Sequence, residues 1–135
     1  MQNERDDNRI KLSFPVNAAY VSSARLTASS IANRMSFDID EIEDIKTAVS
    51  EACTYIIKAL VSDARGNFEI SFLLREDKET MDILITAPGS LSEASEDDIG
   101  LMMIQGMVDS FNLSGTGKDN IVVKMTKKHK ASIFS

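Results

Sequence analysis

Glu51 is the one carboxylate in the run from Ala48 to Leu60, "AVSEACTYIIKAL", where apolar residues recur at helical spacing. A second polar group would share its face one turn later, but that position holds Tyr55. The pair poses two alternatives. Glu51 is a catalytic acid without its partner, or a charge at the flank of a helix stripe, paired with a lysine or hydrated. The other reactive types read more simply. Cys53 is a small packing residue with nothing basic beside it. His129, in "KKHK", reads as an exposed side chain, and Met102, Met103 and Met107 read as core. Arg25 falls off the apolar positions of its segment, beside Thr27. It is either a contact for a partner or half of a surface ion pair with Glu41 or Asp44.

The elements that must position these residues follow from patterning. "RIKLSFP" alternates Ile10, Leu12 and Phe14, a half-buried strand closed by Pro15. Asn17 can cap a helix with Val21, Ala24, Ala28, Ile31 and Met35 on one stripe. Asp38 with Glu41 three residues later forms a capping box for a second helix, whose stripe is Ile42, Ile45, Val49, Ala52, Ile56 and Leu60. Two alternating strands follow, with Phe68, Ile70 and Phe72, then Met81, Ile83 and Ile85, joined by the polar "REDKE". "PGSLSEASEDD" reads as a loop. A third helix is expected from about Ile99 to Ser110 with Met103, Met107 and Phe111 inward. A short strand near Phe111–Ser114, a glycine-rich turn and the strand "NIVVKMTKK" complete the order. This order makes an α+β two-layer sandwich, helices on one face of a mixed, mostly antiparallel sheet. The expected organisation is a flexible 1–9, a single domain over 10–130 and a tail over 131–135.

Composition narrows the function classes. A formal charge of −6 argues against nucleic-acid binding, which draws on cationic neutralisation of phosphates. It suits a basic protein partner better. No apolar run approaches the ~20 residues that span a bilayer, and "MQNERDDNRI" lacks the pattern of a signal peptide. One cysteine cannot form an internal disulfide, which fits a reducing cytoplasm.

The stretch "AAYVSSARLTASSIANRMSFDIDEIEDIKTAVSEACT" resembles the first two helices of anti-sigma-factor serine kinases of the RsbW type, within the histidine-kinase-like (GHKL) ATPase superfamily. The resemblance continues more weakly through "DDIGLMMIQGMVDSF" and "VVKMTKK". It implies a homodimer that binds a sigma factor, and, in active members, ATP and Mg²⁺ with phosphorylation of an anti-anti-sigma partner.

The resemblance also implies a nucleotide site, and this sequence departs from it. The family's second helix carries Glu, three residues, then a Mg²⁺-holding Asn; Glu51 matches, and Tyr55 replaces the Asn. A phenol with a pKa near 10 is a poor Mg²⁺ ligand at neutral pH. The adenine-reading Asp-x-Gly corresponds to Ala87-Pro88-Gly89, and the Thr that supports that Asp to Val122. The phosphate-binding Gly-x-Gly corresponds to Asp98-Ile99-Gly100, where Asp98 can cap the helix itself and repel phosphate. Only Ser90 to Asp98 remain of the lid. The resulting expectation is a regulator that binds a sigma factor or an anti-anti-sigma antagonist without cofactor. The alternative is an active serine kinase using ATP and Mg²⁺. Arg25 and Thr27 are the candidate partner contacts.

Overall fold

The computed structural model describes residues 8–59, 66–89, 98–114 and 120–130. Among the described residues period-two alternation produces five strands: β1 (Arg9–Pro15), β2 (Asn67–Leu74), β3 (Thr80–Pro88), β4 (Ser110–Ser114) and β5 (Asn120–Lys128). They form one sheet in the order β1-β2-β3-β5-β4, and all four pairings are antiparallel. Register places Phe72 opposite Ile83, Ile83 opposite Met125, and Ile85 opposite Val123. One face is thereby largely apolar and buried in the central strands, with Lys127, opposite Met81, as an exception. The other carries the row Lys11, Ser71, Leu84, Lys124 and Asn112. A hollow of about 650 Å³ on that polar face is lined by Ser71, Arg75, Asp82 and Lys124.

Three helices cover the apolar face: α1 (Val21–Ala32), α2 (Ile39–Ala59) and α3 (Ile99–Met107). Asn17 caps the 3-10 turn Ala18–Tyr20 that precedes α1, rather than α1 itself, accepting from the Ala19 N–H at 2.8 Å. The buried residues of α1 are Ala24, Ala28, Ile31 and Ala32, mostly small, so α1 can approach α2 closely. The capping box at α2 is reciprocal. Glu41 Oε1 accepts from the Asp38 N–H at 2.9 Å and Asp38 Oδ1 from the Glu41 N–H at 2.8 Å. Ile45, Val49, Ala52 and Ile56 are buried as expected; Leu60 lies outside the described residues.

The expectation for α3 needs correction. It ends at Met107, and its buried residues are Leu101 and Ile104. Phe111 belongs to β4, and Met102 and Met103 face outward. The cap at Asp98 sets the phase, which turns Leu101 and Ile104 inward together. The far end of α3 is closed by Lys127, whose buried Nζ donates to the Met107 carbonyl at 2.6 Å and lies 3.1 Å from Asp44. His129 is likewise not a free surface group. Its Nδ1 is 2.6 Å from Glu41 Oε1, and the Lys130 N–H donates to Glu41 Oε2 at 2.9 Å. Among the described residues no helix is long and apolar enough to cross a membrane.

Candidate functional site

Helices α2 and α3 run antiparallel, with Asp44 near Met107 at one end and Glu51 near Gly100 at the other. The second end gathers Glu51, Tyr55, Asp98 and Gly100. A Cβ at Gly100 would lie 2.7 Å from Glu51 Oε1 and 3.0 Å from Asp98 Oδ1. The Glu51 carboxylate thus packs closely against Gly100 with that of Asp98 beside it, and a side chain at position 100 would require Glu51 to shift. Asp98 caps α3, its Oδ1 accepting from the Leu101 N–H at 3.1 Å.

Tyr55 stands one turn beyond Glu51, and its ring is packed into the core at 5% exposure. Its buried hydroxyl has no hydrogen-bond partner among the described residues. Burial pushes the phenol's pKa up, and the nearby negative charge of Asp98 pushes it further. The neighbouring Cys53 is buried, which lifts its thiol to about 12, so it is an inert packing group as its sequence context indicates.

The remaining positions separate. Ala87 is buried on the helix-covered face of β3, directly opposite Ile121. Val122 pairs with Thr86 and turns to the other face, half-exposed. Ala87 and Val122 therefore form no pair across the strands, and the residue facing Ala87 is Ile121. The two positions taken from the resemblance thus lie on opposite faces of the sheet, because adjacent residues of a strand point to opposite sides. Gly89 has φ of 105°, a conformation that disfavours any other residue. Its retention thus has a backbone cause independent of a ligand.

Arg25 lies across α2 from this cluster, exposed on α1 beside Leu26. No ion pair among the described residues engages it. The acids considered as its surface partners are taken elsewhere, Glu41 by His129 and Asp44 by Lys127. Thr27 is half-buried and its hydroxyl donates to the Ser23 carbonyl at 2.9 Å, so its donor is already used. Two features escaped sequence reasoning. The Glu41–His129 contact joins residues 88 apart, with no local signal. The outward face of α3, with Ile99, Met102 and Met103 exposed, was hidden by assigning the methionines to the core.

The layered α+β architecture, with its site between the second and third helices, is that of a histidine kinase-like ATPase domain. The sequence model of that family matches residues 14–127. Within it, this chain belongs to the RsbW family. It is 31% identical to "Serine-protein kinase RsbW" of Halalkalibacterium halodurans, covering 87% of this chain and 82% of the relative. It is 30% identical to the RsbW of Bacillus cereus strain Q1, covering 88% and 84% respectively. The crystal structure of the RsbU and RsbW domains of Rv1364c from Mycobacterium tuberculosis matches with a TM-score of 0.72 at 14% identity. That likeness covers 89% of this chain and 32% of the solved one, about a third of its length, and shows a common fold.

Proposed function

We propose that this chain is a partner-switching regulator that binds a sigma factor, or the antagonist that releases one, without nucleotide and as a homodimer. The observation that carries the reading is Tyr55. The resemblance puts a Mg²⁺-holding side chain at this position, and here a buried aromatic ring occupies it. A magnesium nucleotide does not fit the residues present. Phosphates entering at the start of α3 would meet Asp98, already acting as the cap, and Glu51 beside it. Opposite-sign attraction is replaced there by like-charge repulsion. Ala87 offers no carboxylate to adenine.

A second reading, an active serine-protein kinase, is favoured by the retained Glu51 and Gly100 and by the names of the relatives. Calorimetric titration with MgATP separates the two. The proposed function expects no saturable heat at millimolar ATP. A dissociation constant below ~100 μM, roughly −5.5 kcal/mol, would overturn the nucleotide-free reading.

A further inference from the structure

We infer that the hollow on the polar face of the sheet binds the phosphate monoester of a small organic molecule. It lies on the face opposite the three helices, so the inference stands apart from the reading of the α2–α3 site.

Sheet register builds the hollow. Ser71, Leu84 and Lys124 share one row across the strands, and Arg9, Leu73, Asp82, Thr126 and Ser110 share the next. The short side chains of buried Ser71 and half-buried Thr126 form its floor, and the long, exposed ones of Arg9, Arg75 and Lys124 form its rim. The enclosed volume of about 650 Å³ falls within the roughly 300–1,000 Å³ typical of small-molecule sites.

Charge selects an anion. Three cations and one carboxylate line the hollow, leaving two net positive charges in a chain whose formal charge is −6. The carboxylate, Asp82, is occupied within the site. Its Oδ2 accepts from Arg75 Nε at 2.6 Å, and its Oδ1 from Arg75 Nη2 at 2.8 Å and Thr126 Oγ1 at 2.7 Å. Burial opposes ionisation of Asp82, but those hydrogen bonds and the charges of Arg75 and Arg9 outweigh it and hold the carboxyl below its usual range. Asp82 thus fixes the guanidinium in one orientation. Two of the five N–H donors of Arg75 are taken, and the others remain for a ligand. Arg9 and Lys124 join no ion pair among the described residues.

A second observation comes from Ser71. It is only 5% exposed, and its hydroxyl makes no hydrogen bond among the described residues, yet it lines the hollow. Buried polar groups are normally paired, so this donor marks a place where an acceptor belongs. A phosphate monoester carries about −1.5 to −2 charges at neutral pH, which balances the two net positive charges of the hollow. Its oxygens can accept from the guanidinium fork, an ammonium and a hydroxyl at once. Leu73 and Leu84, half-buried on the same face, offer apolar contact to the organic body.

The probe is phenyl phosphate, titrated calorimetrically in a phosphate-free buffer. Saturable binding is expected, tighter than that of inorganic phosphate, which lacks the organic body, and of benzoate, which carries a single charge. Arg9→Gln with Lys124→Gln should weaken it roughly ten-fold or more, and Arg75→Lys, which keeps the charge but loses the fork, roughly three-fold or more. Ser71→Ala should weaken it too. The charge-matched control, Lys46→Gln with Lys58→Gln on α2, should bind as the parent does. Thermal melting without ligand confirms folding, and the double variant at exposed Arg9 and Lys124 decides the matter if Arg75→Lys or Ser71→Ala does not fold. The inference is overturned by absence of saturable binding at ~10 mM ligand, where even a millimolar site fills. It is equally overturned by affinity no tighter than that for inorganic phosphate or benzoate, or by equal losses in the site and control variants.

Discussion

Removing the hydroxyl of Tyr55 should make the protein more stable. That group is buried in the free protein and has no hydrogen-bond partner among the described residues. Burying an uncompensated hydroxyl costs ~1–3 kcal/mol on mutational scales. Tyr55→Phe keeps the ring that packs into the core and deletes only the orphan. The expected gain is about 1 kcal/mol, the low end of that range. For a chain of this size that corresponds to a rise of roughly 3–5 °C in Tm. Tyr55→Ala removes the ring as well and should cost about 3–5 kcal/mol through the cavity it leaves. Urea denaturation followed by circular dichroism measures both, with slopes unchanged if only stability differs. A Phe variant destabilised by ~1 kcal/mol or more would show that the hydroxyl is engaged in the folded protein. An Ala variant within ~0.5 kcal/mol of the parent would show that the ring is not packed.

Arg25→Ala should weaken sigma-factor or antagonist binding by ~2 kcal/mol while shifting stability by less than ~0.5 kcal/mol. Surface plasmon resonance beside denaturation tests this, with Lys78→Ala, in the turn beyond the opposite end of α1, as the control; unchanged binding would place the partner surface elsewhere. Lys127→Ala should cost about 1–3 kcal/mol because it strips a donor from the Met107 carbonyl and leaves Asp44 unpaired. Exposed Lys124→Ala should be near neutral, and equal effects in denaturation would contradict the role given to Lys127. The Glu41–His129 contact should make stability depend on pH. The hydrogen bond to Glu41 raises His129 above 6.5. Burial opposes ionisation of Glu41, but hydrogen bonds from His129 and the Asp38 and Lys130 amides outweigh it and hold the carboxyl below 4.5. The stabilisation is therefore full between those two values. It fades as pH rises through the raised His129 pKa, and again as pH falls through the lowered Glu41 pKa. The stability difference between parent and His129→Gln, measured across pH 3–9, should follow that course, and a flat difference would exclude the contact as its source.

Local patterns carried most of the fold. Alternation over Phe68–Phe72 and Met81–Ile85, and the Asp38–Glu41 capping box, specify elements through contacts within a few residues. These are legible because period and cap are properties of short segments. The inward face of α3 was not, because Leu101, Met102, Met103 and Ile104 are all apolar and a short helix gives little phase information. Across strands, the pairing of Ala87 with Ile121 depends on register set by the whole sheet, which no single segment reveals. At the site, Glu51, Tyr55, Asp98 and Gly100 were all singled out by their residue types, and they do converge. What the types could not supply was distance: the packing of the Glu51 and Asp98 carboxylates against Gly100 and the unsatisfied hydroxyl exist only in three dimensions.

The place of β5 in the sheet has a kinetic consequence. It is the last strand in chain order among the described residues, yet it lies between β3 and β4 and pairs with both. A chain emerging from the ribosome therefore holds β3 with one flank open until residues 120–128 have been made. At ~5–20 residues per second, the ~40 residues from the end of β3 to the end of β5 take roughly 2–8 s. During that interval Met81, Ile83 and Ile85 stand on an unpaired strand edge, the kind of surface that templates aggregation. Closure of the sheet is also a contact between distant parts of the sequence, which slows it further. Yield during synthesis should consequently respond more to changes in β5 than to equally destabilising changes in β1, which pairs with β2 and closes nothing.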